Sequence, residues 1–151
     1  MSANDDAIDV LLVEDNPDDA EFTLRALRKA NVALNVIHVD NGVVALDFMF
    51  GTGSYAGRAD ASMPRVVLLD LKIPRVDGHE VLRRIKGDMR TRLQPVVVLT
   101  SSRERRDIEA SYAAGANSYI VKPVEYAELI GTLSALVRYW LQLNERPPMH
   151  G

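Results

Sequence analysis

The stretch that decides the fold is Arg65-Val66-Val67-Leu68-Leu69-Asp70-Leu71-Lys72-Ile73-Pro74-Arg75-Val76-Asp77-Gly78. Residues 66–69 are β-branched or leucyl without polar alternation, which is typical of a strand covered on both faces of a parallel sheet. A turn must follow, because Pro74 fixes its own φ and biases Ile73 toward an extended conformation. The stretch therefore predicts a buried strand that carries Asp70 at its carboxyl end.

Composition limits the classes of protein to which the chain can belong. With 151 residues, of which 47% are hydrophobic and 26% charged, it can build one domain with one core. A net charge of -3 and the lack of a membrane-length apolar stretch argue against a DNA partner or a membrane span. The absence of cysteine excludes disulfides, thiolate zinc sites and thiol nucleophiles. With no basic leader visible, we expect a cytoplasmic protein.

Strand and helix patterns alternate five times along the chain. Strands are expected at residues 8–13, 35–39, 66–69, 95–99 and 118–121, and helices at 17–30, 43–50, 78–88, 105–114 and 125–143. Residues 51–64 are expected to form a surface loop. This alternation predicts an α/β fold in which a doubly wound parallel sheet has helices on both faces. We expect one domain over residues 8–143, a disordered N-terminus at 1–7 and a tail at 144–151.

Polar side chains follow four of the five predicted strands. Glu14 and Asp15 follow the first strand, Asp70 the third, Thr100 the fourth and Lys122 the fifth. Ligands of parallel α/β sheets bind outside the carboxyl ends of the strands. A lone aspartate at a strand end could merely cap a turn, but the joint set is not expected by chance and predicts a functional crevice.

Two further acids, Asp18 and Asp19, are interpreted differently. They fall in the first turn of a helix that Asn16 caps and Pro17 begins, where acidic side chains favour the helix dipole. No role in the crevice is expected for them.

The predicted crevice favours phosphoryl chemistry. Three carboxylates in one place repel one another, and a hard divalent cation such as Mg²⁺ relieves that repulsion. Lys122 is suited to phosphate oxygens, and Thr100 can donate a hydrogen bond to one of them. A carboxylate beside bound Mg²⁺ can itself accept a phosphoryl group, giving an aspartyl phosphate.

Over residues 8–140 the chain resembles the receiver domain of two-component response regulators. The matching residues are Glu14-Asp15, Asp70 with Pro74 and Asp77-Gly78, Thr100-Ser101, Tyr119 and Lys122-Pro123. The resemblance implies a flavodoxin-like sheet with strand order 2-1-3-4-5. It also implies a phosphoacceptor signalling protein rather than an enzyme, which takes its phosphoryl group from a sensor histidine kinase and removes it by autodephosphorylation.

The same resemblance assigns roles to individual residues. Asp70 would be phosphorylated, and the Mg²⁺ ligands would be Glu14, Asp15, Asp70 and the main-chain carbonyl of Lys72. Lys122 would pair with the phosphoryl group, and the Lys122–Pro123 peptide bond would be cis. Thr100 would move toward the phosphate, and Tyr119 would change rotamer with it. The glutamate that begins the acidic pair departs from the commoner aspartate, while Lys72 and Ser102 occupy variable positions that tune phosphate lifetime in this family.

Two alternatives from other classes remain. A Mg²⁺-dependent phosphohydrolase of the haloacid dehalogenase type also uses a strand-end aspartate, but it needs a second acid where Lys72 stands. A phosphorylation-independent adaptor would keep the fold, and it usually lacks an acceptor, acid or lysine that this chain retains.

The end of the sequence bears on partners. No output domain follows the last predicted helix, so we expect a single-domain regulator that does not bind DNA. The loop before the third strand, residues 110–112 and Tyr139-Trp140 resemble regulators paired with phytochromes, so the kinase could be a bacteriophytochrome. It is expected to dock near the first helix and the Asp70 crevice.

A homodimer is also predicted from the last helix. Its apolar stripe comprises Tyr126, Leu129, Leu133, Leu136, Trp140 and Leu143. A straight helix over 125–143 would be on the order of 28 Å long and would extend past the sheet that it covers. We therefore expect a two-fold homodimer through the face of the fourth helix, fifth strand and fifth helix, with Leu136 and Trp140 in the interface.

Overall fold

Five short apolar runs form one parallel sheet. In the computed structural model, which describes residues 7–58 and 63–148, the strands are β1 (Val10–Val13), β2 (Val36–Val39), β3 (Val66–Leu69), β4 (Val96–Thr100) and β5 (Ser118–Val121). Their order is β2-β1-β3-β4-β5 and every pairing is parallel, which confirms the predicted fold class. The expected disordered N-terminus at 1–7 lies outside the described residues, apart from Ala7.

In the described residues, four α-helices lie between successive strands and a fifth follows β5. They are α1 (Pro17–Ala30), α2 (Gly42–Phe50), α3 (Gly78–Gly87), α4 (Arg105–Ala113) and α5 (Tyr126–Val137). Most predicted ends agree within two residues, but part of the expected loop forms a 3-10 helix over Gly53–Arg58. No helix in the described ranges has the length and apolar character needed to span a bilayer.

The two faces of the sheet bury different sets of side chains. Residues that alternate along each strand point to opposite faces, so Leu11 and Val67 pack with α2 and α3, while Leu12 and Leu68 pack with α1 and α5. Every residue of the three central strands, β1, β3 and β4, is buried. This layered core holds the carboxyl ends of the strands at one edge of the sheet.

The last helix ends differently from the prediction. After α5 the chain continues as a π-helical segment, Arg138–Leu143, in which the Asn144 amide donates to the Tyr139 carbonyl at 2.7 Å. The wider turn changes which side chains face the core, so that Leu141 is buried.

The predicted interface residues therefore pack on the protein's own core. Leu136 is only 4% exposed and belongs to the hydrophobic core cluster between the sheet, α1 and α5. Trp140 is partly buried and packs against that same cluster. The proposal that Leu136 forms an intermolecular contact is wrong, because its side chain is already covered within the chain. Tyr139 and Leu143, at 49% and 60% exposed, are the apolar side chains of this segment that remain open.

Candidate functional site

The sheet brings the predicted functional side chains to one crevice. The Glu14 amide donates to the Val39 carbonyl at 3.0 Å, and the Asp70 amide donates to the Val13 carbonyl at 3.1 Å. These bonds continue the ladder beyond the strand ends, so the two acids leave adjacent strands at the same level. The main-chain hydrogen bonds thus bring the backbone of Glu14 and of Asp70 to the same edge of the sheet.

Thr100 and Lys122 complete the crevice from the other side. Thr100 is the last residue of β4 and is fully buried. Its carbonyl accepts a hydrogen bond of 2.8 Å from the Lys122 amide, just beyond β5. Of the predicted residues, the structure therefore brings the acids, the hydroxyl and the amine to one end of the sheet.

The Lys122 ammonium lies among three carboxylates. Its Nζ donates to Glu14 Oε1, to Asp70 Oδ2 at 3.1 Å and to Asp19 Oδ2 at 3.4 Å. Contacts to Glu14 and Asp70 agree with the predicted crevice. The contact with Asp19 was missed, because its place in the first turn of α1 was explained by the helix dipole alone. The available signal was that this turn directly follows the β1 strand end.

Three of the acids can share one cation. Glu14, Asp15 and Asp70 each offer a carboxylate oxygen, and these oxygens lie within 4.8 Å of one another. Glu14 is buried and Asp70 nearly so, whereas Asp15 is exposed. A set of hard oxygen donors with one solvent-facing member fits a divalent cation such as Mg²⁺, which usually retains several waters.

Lys72 has its main chain beside the acceptor. Its amide donates to Asp70 Oδ1 at 3.3 Å, while the residue as a whole is exposed. One Asp70 oxygen therefore faces the Lys72 backbone and the other faces Lys122. The second acid that a haloacid dehalogenase needs at this position is absent.

Burial and charge oppose each other in the Glu14–Lys122 pair. Burial raises the pKa of the Glu14 carboxyl, although hydrogen bonds from Lys122 and the Asn16 amide act to lower it. Burial alone would lower the pKa of the Lys122 ammonium. Its hydrogen bond to Glu14 and the negative charge of Asp70 outweigh that effect and raise it. We conclude that Lys122 is charged and held by its acidic partners.

The two predicted switch residues are linked through the segment between β4 and α4. The Ser102 amide donates to Thr100 Oγ1 at 3.5 Å, and the Tyr119 hydroxyl donates to the Ser102 carbonyl at 2.9 Å. Ser102 Oγ also donates to Asp107 Oδ2 at 2.5 Å, in the first turn of α4. Sequence reasoning missed this last contact, which depends on how the loop folds back. Thr100, Tyr119 and α4 thus share one hydrogen-bonded segment.

The expected cis bond between Lys122 and Pro123 is wrong. Every peptide bond in residues 7–58 and 63–148 is trans. A trans bond before proline is favoured by about 0.5–1 kcal/mol unless its surroundings impose the other isomer. Here the trans form already leaves the Lys122 ammonium in contact with the crevice acids.

Comparison with known proteins identifies the relatives of this arrangement. Residues 10–134 match the response regulator receiver domain family. The probable methanogenesis regulatory protein FilR2 of Methanothrix harundinacea is 40% identical over 143 residues, which cover 95% of this chain and 90% of that protein.

Two solved structures share the fold over nearly their whole length. The phosphorylated cyanobacterial phytochrome response regulator RcpA is 35% identical, with a TM-score of 0.85 over 93% of this chain and 99% of that one. The Mn²⁺-bound response regulator Rcp1 is 32% identical, with a TM-score of 0.82 over 91% of this chain and 97% of that one. The curated Rcp1 sequence is from Synechocystis. The chain belongs to the response regulator receiver domain family of signalling proteins.

Proposed function

We propose that Asp70 accepts a phosphoryl group from a sensor histidine kinase in a Mg²⁺-dependent reaction. The observation that carries this proposal is the position of Asp70 between the positive Lys122 ammonium and the acidic pair Glu14 and Asp15. Its Oδ2 lies 3.1 Å from the Lys122 ammonium, and its carboxylate also belongs to the cluster with Glu14 and Asp15. This arrangement supports the proposal, because phosphoryl transfer depends on an acceptor oxygen held close to charges that can neutralise the phosphoryl group.

The transfer step follows from these positions. A carboxylate oxygen of Asp70 would form a bond to phosphorus while the bond from phosphorus to the donor histidine nitrogen breaks. The bonding electron pair would return to the imidazole. Glu14, Asp15, Asp70 and the Lys72 carbonyl would hold Mg²⁺, which when bound supplies neutralisation of the phosphoryl oxygens. Lys122 and Thr100 would bind those oxygens from the side of β4 and β5.

Return to the unmodified protein would be autodephosphorylation. Attack of water on the phosphorus would release inorganic phosphate and restore the Asp70 carboxylate. Rcp1 and RcpA support these assignments, because their solved structures are respectively Mn²⁺-bound and phosphorylated.

The signal would leave through α4. Movement of Thr100 toward the phosphoryl group would disturb the segment that also holds the Tyr119 hydroxyl and Asp107. Among the side chains described for α4, Ser111 alone is buried, so little apolar packing resists a shift of this helix. We propose that Tyr119 changes rotamer with Thr100 and that the face of α4, β5 and α5 transmits the change.

The kinase and the dimer remain parts of this proposal. A phytochrome kinase is the proposed donor because RcpA, which is 35% identical to this chain, is a phytochrome response regulator. FilR2, by contrast, is a probable methanogenesis regulatory protein. A homodimer through the α4, β5 and α5 face would now use Trp140 with the exposed Tyr139 and Leu143. The cytoplasmic location and the absence of a DNA partner stay predictions.

The experiment is incubation with acetyl phosphate, read by intact mass. The wild type should gain one phosphoryl group with Mg²⁺ and none when EDTA removes the metal. Asp70→Asn should gain none under either condition. Equal labelling of Asp70→Asn would overturn the proposed acceptor, and rapid turnover of generic phosphate esters would favour a phosphohydrolase instead.

A further inference from the structure

Asp19 has a contact that its position in α1 does not require. Its Oδ2 lies 3.4 Å from the Lys122 ammonium, with 49% of the Asp19 side chain exposed against 11% for Lys122. The Asp19 amide donates to the capping Asn16 Oδ1 at 3.0 Å, so the start of its side chain is fixed by the helix cap. Asp19 therefore reaches the buried lysine from the solvent side of the crevice.

The three acidic partners of Lys122 are not equivalent. Glu14 and Asp70 belong to the cluster that can share one cation, whereas that cluster, among the described residues, does not include Asp19. A divalent cation bound by Glu14 and Asp70 would compete with the Lys122 ammonium for the negative charge of both carboxylates. Asp19, outside that cluster, would remain available to the ammonium.

We infer that Asp19 is a positioning residue, which holds the Lys122 ammonium over the crevice while Glu14 and Asp70 bind the metal. This inference rests on the proposed function, because it concerns the same metal and the same phosphoryl site. Without Asp19, Lys122 depends on Glu14 and Asp70 alone and competes more strongly with the cation for their oxygens. Removal of the Asp19 charge should thus weaken Mg²⁺ binding by way of Lys122.

Asp18 supplies a matched control. It precedes Asp19 in the same first turn of α1, its amide donates to the same Asn16 Oδ1 at 2.9 Å, and it is exposed. Asp18→Asn and Asp19→Asn remove the same charge from the helix N-terminus and leave both cap bonds intact, since those bonds use main-chain amides. A difference between them reports the contact with Lys122 rather than the helix dipole.

The experiment is calorimetric titration of Mg²⁺ into two sets of proteins. The first set is the wild type, Asp18→Asn and Asp19→Asn, and the second set is the same three proteins with Lys122→Met added. Circular dichroism confirms that every variant is folded. In the proteins that retain Lys122, the Mg²⁺ dissociation constant of Asp19→Asn should be roughly three-fold higher than that of Asp18→Asn. A factor of this size corresponds to the loss of one half-exposed charge pair. In the Lys122→Met background, the two variants should bind Mg²⁺ alike.

Two results would overturn the inference while the proposed function stands. One is equal Mg²⁺ affinity for Asp18→Asn and Asp19→Asn when Lys122 is present. The other is an excess effect of Asp19→Asn that persists with Lys122→Met, which would mean that Asp19 acts on the metal without the lysine. A wild type that binds no Mg²⁺ would contradict both the inference and the proposed metal site.

Discussion

A β-carbon added to Gly78 would lie 2.5 Å from the main-chain oxygen of Asp70. It would also lie 2.5 Å from the Leu71 Cα, and the Gly78 amide donates to the Leu71 carbonyl at 2.9 Å. The first residue of α3 thus packs directly on the backbone that carries the proposed acceptor. The position of Asp70 depends on the absence of a side chain at residue 78.

Gly78→Ala should therefore destabilise the fold by about 1–3 kcal/mol, because backbone must move to admit the methyl group. Gly131→Ala is the control, since Gly131 is exposed within α5 and nothing lies within 4 Å of its added β-carbon. That change should leave stability unchanged or raise it by about 0.5–1 kcal/mol. Urea unfolding measures both variants, and equal stability of the two would contradict the close approach.

Asp15→Ala should weaken Mg²⁺ binding by about ten-fold or more, since it removes one donor of a three-acid cluster. Asp18→Ala also removes a charge close to the crevice, but it should have a much smaller effect because Asp18 is exposed and, among the described residues, lies outside that cluster. Titration with Mg²⁺ compares them. Similar losses for both variants would mean that general charge, rather than ligation, controls metal affinity.

Tyr139→Asp combined with Leu143→Asp should dissociate the proposed homodimer without unfolding it, because both side chains are largely exposed. Val32→Asp is the control, as Val32 is 90% exposed and follows α1 rather than α5. Sedimentation velocity of phosphorylated and unphosphorylated protein provides the measurement. A wild type that is monomeric in both states at micromolar concentrations would refute the dimer.

The stability of the fold should depend on pH through Lys86, which lies outside the Asp70 crevice. Its ammonium donates to the Gln94 carbonyl at 2.6 Å and to Asn117 Oδ1 at 2.8 Å, and burial lowers its pKa from 10.5 to about 8. Between these values the unfolded chain binds more protons than the folded chain, so the free energy of unfolding should increase with pH. Lys86→Gln lacks this titration.

The stability difference, wild type minus Lys86→Gln, should accordingly rise as the pH is raised from about 8 to about 10.5. Urea unfolding at several pH values across this window tests the sign. A difference that stays constant would show that Lys86 has an ordinary pKa in the folded protein.

The sheet and most of the crevice could be predicted because they depend on local patterns. Continuous apolar runs marked the central strands, and the residues that followed them necessarily met at one edge of a parallel sheet. Asp70 and Lys122 could be brought together in this way although 52 positions separate them in the chain.

The parts that could not be predicted depend on side-chain reach and on helix phase. Asp19 had a sufficient local explanation in the helix dipole, and its contact with Lys122 exists only in the folded chain. Leu136 and Trp140 were assigned from a regular helical stripe, whereas the π-helical segment changes the phase and buries Leu141. A sequence period cannot reveal such a local change of helix type.

The central claim, that Asp70 is the phosphoryl acceptor, is tested most directly by locating the modification in the chain. Borohydride reduces an aspartyl phosphate to homoserine, and peptide mass mapping then identifies the altered position. After treatment of the wild type with acetyl phosphate and Mg²⁺, we predict homoserine at residue 70 and an unmodified Asp15. Homoserine at another acid, or complete phosphorylation with residue 70 unchanged, would contradict the account.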